Sequence, residues 1–121
     1  MFPKQSTQTI GKKAEQLACR YLEKHGLRLQ DKNVFCRAGE IDLIMKGNDC
    51  LIFVEVRLRA ADDYVTALES ITPRKQAKCR KAALFYLQKH QLIDKVDCRM
   101  DVVAITQNGA HHDIQWIKNA F

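Results

Sequence analysis

Ile10, Ala14, Leu17, Ala18, Tyr21 and Leu22 recur at three- and four-residue spacing, which places them on one face of a helix predicted over 10–25. Lys13, Arg20 and Lys24 fall on the opposite face, and Gly26 suits a left-handed stop just past the end. Glu15 projects beside Leu22, at the rim of the apolar face. By itself, a rim carboxylate of this kind is more often simply solvated than part of a site.

The period then changes from helical to alternating. Residues 27–35 read as an irregular first strand, interrupted by Asp31-Lys32-Asn33. Clearer strands over 40–46 and 51–58 flank a Gly47-Asn48-Asp49 tip and read as a hairpin. Thr72-Pro73 opens a second helix that runs to about residue 90, with Thr72 as its cap and Pro73 in the first turn. Strands over 96–106 and 113–117 follow, joined through Asn108-Gly109. Residues 62–71 read as a loop with some helix, and His111 and His112 as loop residues. The expected fold is α/β, a mixed central sheet flanked by helices in the order αβββαββ.

The hairpin carries the chemistry. Alternation puts Glu40, Asp42 and Ile44 on one face of the first strand, with Ile41, Leu43 and Met45 on the other. On the partner strand, Leu51, Phe53, Glu55 and Arg57 share a face. Most of both faces is apolar, as in a sheet covered on both sides. A four-residue tip puts Asp42 directly across from Glu55, and a two-residue tip makes them diagonal neighbours. Either register brings two carboxylates within reach of one cation. Like charges so placed repel and raise a pKa unless something positive lies between them. A divalent ion would do this, and so would pairing with Arg57 and Arg59.

Composition narrows the class. The 121 residues suit a single domain over 1–121, and 46% apolar with 28% charged residues is ordinary for a soluble protein. The formal charge of +6 is not ordinary and favours a polyanionic partner. No apolar run is long enough to span a membrane, and the start of the chain lacks the apolar core of a signal peptide. Five scattered cysteines form no C-x-x-C pair, which speaks against a zinc site or disulfide framework and for a reducing, cytoplasmic setting.

The quoted pieces together resemble a known family. G-E-I-D-L-I followed by F-V-E-V-R-x-R is similar to the PD-(D/E)XK nuclease superfamily, and more narrowly to its YraN-like bacterial branch, close in fold to Holliday-junction resolvases. G-x-x-A-E-x-x-A at 11–18, T-P-x-K-Q at 72–76, D-V-V-A at 101–104 and W-I-x-N-A-F at 116–121 extend the match over nearly the whole chain. The resemblance implies a restriction-endonuclease-like core and hydrolysis of phosphodiester bonds in DNA, including branched or damaged DNA. It also implies Mg²⁺ or Mn²⁺ held by Asp42, Glu55 and Glu15. The superfamily lysine falls on Arg57, which supplies positive charge but is not a base, since guanidinium keeps its proton below about pH 12. Glu40 would be a salt-bridge partner of Arg57 or Arg59, or an outer ligand. Gln76, in the T-P-x-K-Q match, and Arg80 would stand behind the site. Related resolvases act as dimers, so a homodimer is an expectation, although no apolar stripe demands one.

The second helix adds a basic face. Arg74, Lys75, Lys78, Lys81 and Lys89 gather on one side, while Cys79, Ala83, Leu84, Tyr86 and Leu87 turn towards the sheet. Arg80 falls within the apolar arc and must snorkel out or pair with a hairpin carboxylate. Together with Lys12, Lys13, Arg57 and Arg59, the stripe would form a track of phosphate contacts that reads backbone and shape rather than bases. Besides a nuclease, the sequence allows a nuclease-fold protein that binds nucleic acid without cutting it, or an adaptor whose basic helix meets an acidic protein.

Overall fold

The computed structural model describes residues 7–62 and 66–121, with side chains from residue 10 onward within the first helix. Its elements follow the expected order: α1 (Thr7–Lys24), β1 (Arg28–Cys36), β2 (Gly39–Lys46), β3 (Cys50–Ala60), α2 (Pro73–Lys89), β4 (Asp97–Asn108) and β5 (His111–Ile117). The five strands form one sheet in chain order. β3 and β4 are parallel, and the other neighbours are antiparallel. Parallel neighbours need a crossover, which α2 provides. This mixed sheet between two helices is consistent with a restriction-endonuclease-like core.

The two helices cover opposite faces. Ala14, Ala18 and Leu22 of α1 pack on Leu43, Met45, Ile52, Val54, Val103 and Ile105. Small residues at two of the three helical positions let the α1 backbone approach the sheet closely. On the other face, Cys79, Ala82, Ala83 and Tyr86 of α2 pack on Ile41, Ile44, Leu51 and Phe53. Thr72 caps α2, its Oγ1 accepting from Lys75 N at 3.2 Å. Gly26 (φ 94) takes the left-handed conformation that ends α1. No helix among the described residues is long and apolar enough to cross a membrane.

Several details depart from the pattern read along the chain. α1 begins before Ile10, which is 40% exposed at its outer end. The β4–β5 turn is only Gly109-Ala110, since Asn108 pairs with His111, so His111 and His112 are strand residues rather than loop. Leu84 is 49% exposed and does not face the sheet; Ala82 takes that place. Described residues 66–71 form turns closed by Ser70 N donating to Thr66 O and Ile71 N to Leu68 O, without the partial helix. The three residues before them lie outside the described part.

Candidate metal centre and nucleic-acid interface

The β2–β3 hairpin has the four-residue tip: Lys46 pairs with Leu51, and the register runs through Ile44↔Phe53 to Leu43↔Val54. The next rung would join Asp42 to Glu55, but the ladder stops there. The Asp42 side chain fills the gap instead, Oδ2 accepting from the backbone N–H of Val56 at 2.9 Å. The simple alternation expected for β2 breaks at the same place. Ile41 packs with Ile44 on the α2 face, and Leu43 with Met45 on the α1 face. Asp42 therefore sits between the sheet's two faces rather than sharing one with Ile44.

β1 is irregular alongside. Its register to β2 shifts between Leu29 and Asp31, and Asn33 takes a left-handed φ of 49°, which asparagine tolerates better than most residues. The Asn33 side chain then points at acids: Nδ2 donates to Glu15 Oε1 and Oε2 at 3.0 and 3.3 Å and reaches Glu40 Oε1 at 3.4 Å. One carboxylate oxygen from each of Glu15, Glu40 and Asp42 lies within 4.8 Å of the others. α1, the start of β2 and the strand divergence thus converge on one point. Glu40 belongs to this cluster, with Asn33 as its hydrogen-bond partner, and not to an arginine salt bridge.

Asp42 also meets Glu55, near enough for a hydrogen bond between the two carboxyls. Glu55 is only 6% exposed, and its Oε2 accepts from the Cys79 thiol at 3.3 Å and faces Lys75 Nζ at 3.6 Å. Burial first, then the nearby Glu55, pushes Asp42 up to about 8. Burial and Asp42 likewise raise Glu40. Glu15 is raised by burial and by Asp42, against the lowering effect of Asn33. Burial and Glu55 raise the Cys79 thiol to about 12, so it stays protonated and serves as a donor.

Another buried acid shows that the fold can neutralise a carboxylate when it needs to. Asp101, 0% exposed, accepts from Arg99 Nε at 3.0 Å, Trp116 Nε1 at 2.8 Å and Asn119 N at 2.9 Å. Among the described residues the donors around Asp42 are fewer per acid: Val56 N–H for Asp42, and one Asn33 amide shared by Glu15 and Glu40. Glu15, Glu40 and Asp42 offer oxygen ligands whose pKa values are raised by burial first and by a neighbouring carboxylate second, a composition that suits a hard divalent cation. Mg²⁺ or Mn²⁺ fits these residues.

A cleft of about 470 Å³ opens over the acids. Asp42, Glu55, Glu40 and Gly39 form one side; Thr72, Arg74, Lys75 and Lys78 from the start of α2 form the other, with Cys79 between. Gly39 allows the close approach, because a Cβ there would lie 3.3 Å from both the Cβ and the carbonyl oxygen of Lys78. The positive dipole end of α2 also opens here, although the Lys75 and Gln76 N–H groups are already bonded to Thr72.

The remaining expected residues divide. Lys75 leaves the outward stripe to meet Glu55, whereas Arg74, Lys78 and Lys81 are exposed. Gln76 does not reach the acids; its Nε2 donates to Ile71 O at 3.1 Å and secures the entry to α2. Arg80 pairs with no hairpin carboxylate. It snorkels to lie over the Phe121 ring, 5.5 Å from its centroid. Lys12 is close enough to Glu15 to favour its ionised form, while Lys13 lines a separate cleft of about 510 Å³ on the α1 side. Because α1 and α2 cover opposite faces, Lys13 does not continue the α2 stripe. Arg57 and Arg59 follow Glu55 along β3, and Arg57 Nε is buried without a hydrogen-bond partner among the described residues.

Three features escaped sequence reasoning, one of them the Cys79 thiol, expected only to face the sheet, which donates to Glu55. Asn33 was visible only as part of a break in a strand, and the pairing of Lys75 with Glu55 depends on how α2 lies across the sheet.

The profile of the uncharacterised protein family UPF0102 matches residues 14–105. The chain belongs to the UPF0102 family. The UPF0102 protein of Coxiella burnetii (strain RSA 331 / Henzerling II) is 51% identical over 114 residues, covering 94% of this chain and 92% of the relative. That of Dichelobacter nodosus is 50% identical over 116 residues, covering 96% and 91%. That of Legionella pneumophila strain Philadelphia 1 is 47% identical over 115 residues, covering 95% and 96%. The YraN-like likeness read from the hairpin motifs is this family, and the match includes every acid of the cluster.

Proposed function

We propose that this UPF0102 protein is a divalent-metal-dependent nuclease of the PD-(D/E)XK kind that hydrolyses phosphodiester bonds in DNA. The observation that carries the reading is the meeting of Asp42 and Glu55 at the floor of a cleft whose opposite wall is basic. Asp42, Glu55 and Glu15 would hold Mg²⁺ or Mn²⁺, with Glu40 beside them. When bound, the ion would lower the pKa of a coordinated water and offset charge on the scissile phosphate.

The chain's own residues account for the rest. Val56 N–H fixes one oxygen of Asp42, and Cys79 fixes one of Glu55, so both carboxylates are held before any ligand arrives. Asn33 holds Glu15 and Glu40 from behind. The start of α2, with Arg74 and Lys78, offers donors and positive charge to phosphates flanking the cut. Arg57 lies two residues along β3 from Glu55, where the resemblance would have it add positive charge, but it is not among the residues lining the cleft.

A panel of linear, nicked, single-stranded and branched DNA, incubated with Mg²⁺, Mn²⁺ or EDTA, tests this reading. Cleavage is expected only with metal, and is expected to disappear in Asp42→Ala. Cleavage that persists unchanged in Asp42→Ala overturns it. Arg57 at the motif lysine position favours a second reading, a nuclease fold that binds nucleic acid without cutting it. Metal-free DNA binding with steep salt dependence, and no cleavage until Arg57→Lys is introduced, selects that alternative.

A further inference from the structure

Glu55 is nearly buried and carries a cation, but that cation does not come from its own strand. The side chain that approaches Glu55 Oε2 is Lys75, at 3.6 Å, from the first turn of α2. Lys75 is 45% exposed, so its ammonium bridges the buried carboxylate and the open cleft. Its backbone is held by the Thr72 cap, which accepts from Lys75 N. The four-carbon stem beyond that point is free to turn. Arg57, by contrast, has its Nε buried in the protein. A compact ammonium with three rotatable donors can exchange partners on a short path, which a planar guanidinium whose Nε is buried cannot do as readily.

We infer that Lys75 is the working cation of this site: it is the counter-ion of Glu55 in the resting protein, and it turns its ammonium onto the scissile phosphate when substrate enters. The inference rests on the nuclease reading for its second half. In the hydrolysis, a water oxygen bonds to phosphorus, and the P–O bond to one sugar oxygen breaks with its electron pair going to that oxygen. One water proton ends on the departing sugar oxygen and the other on the new phosphate or in solvent. Lys75 keeps its protons throughout and hydrogen-bonds a non-bridging oxygen as negative charge builds there. Positive charge reaches phosphorus from the helix, which compensates for an arginine at the strand position.

The test compares wild type, Lys75→Ala and the double variant Arg57→Lys/Lys75→Ala, each checked for native circular dichroism. Mn²⁺ affinity is measured by calorimetry and cleavage on the DNA panel. Removing a cation that sits on a metal ligand is expected to tighten Mn²⁺ binding about three- to tenfold. Losing the phosphate contact is expected to slow cleavage by about a hundredfold or more. The added strand lysine is expected to restore at least about tenfold of that loss. Lys75→Ala cleaving within about threefold of wild type, or binding Mn²⁺ no more tightly, overturns the inference. Mn²⁺ affinity is read without any cleavage, so the two failures separate. If wild type binds Mn²⁺ but cuts nothing, the nuclease reading fails and the phosphate role of Lys75 fails with it. Lys75 as counter-ion of Glu55 then stands with tighter Mn²⁺ binding in Lys75→Ala and falls without it. If wild type binds no Mn²⁺, both fail.

Discussion

The backbone N–H of Val56 donates to Asp42 Oδ2 at 2.9 Å, in the place where the next β2–β3 rung would stand. A side chain has replaced a main-chain acceptor, and the strands part around it. The same acid is pressed against Glu55, so one residue serves a structural bond and suffers an electrostatic penalty.

Asp42→Asn and Asp42→Ala therefore diverge. Asparagine keeps an oxygen for Val56 N–H and removes the charge facing Glu55, so metal-free Asp42→Asn is expected to melt above wild type at alkaline pH. Alanine leaves the N–H without its partner and is expected to be about 1–2 kcal/mol less stable than the asparagine variant. Both should lose metal binding. Thermal unfolding with EDTA and with Mg²⁺ checks each point.

Stability should depend on pH through the same group. Asp42 has a folded pKa of about 8 against an ordinary 3.8, so between these values the folded protein keeps a proton that the unfolded chain has released. The contribution is complete below the lower value and is lost as pH rises through the upper one. Glu15 and Glu40 are shifted in the same direction. The metal-free protein is expected to melt lower at about pH 8.5 than at about pH 5.5, with Asp42→Asn flattening the difference. Mg²⁺ should stabilise more at the higher pH, because it takes the proton's place. Proton release on metal binding, measured by calorimetry in buffers of different ionisation enthalpy, gives an independent check.

Asn33 has two functions that substitutions can separate. Asn33→Gly keeps the left-handed backbone and loses the bonds to Glu15 and Glu40. Asn33→Ala loses both and is expected to be about 1 kcal/mol less stable than Asn33→Gly. Asn33→Asp adds a negative charge to the cluster and should destabilise the metal-free protein while tightening divalent binding. Chemical denaturation with and without Mg²⁺ reads all three.

The exposed cations of α2 should contribute to DNA binding without sequence preference. Lys78→Ala and Lys81→Ala are each expected to weaken binding to unrelated sequences alike and to lower the slope of log affinity against log salt by about 0.9 on duplex DNA. Fluorescence anisotropy with Ca²⁺ in place of Mg²⁺, over a range of salt, measures this. A slope unchanged in both variants removes the helix from the interface.

The sequence by itself determined the order of elements and where most of them begin and end, because periodicity, the Thr72-Pro73 cap and the glycine turns are local signals. It also brought Asp42 and Glu55 to the same end of the hairpin in either register, while the choice of the four-residue tip belonged to the folded structure. Tertiary structure decided what lies between and around those acids. No alternation rule foretells that β2 breaks its period at Asp42, that a left-handed Asn33 in β1 turns its amide towards α1, or that Glu40 joins the acids rather than an arginine. Lys75 looked like one more cation on a helical stripe. Only the seating of α2 against Gly39 and the sheet carries its ammonium to Glu55, because such a contact depends on the angle and depth at which two elements pack, and these are set by residues far apart in the chain.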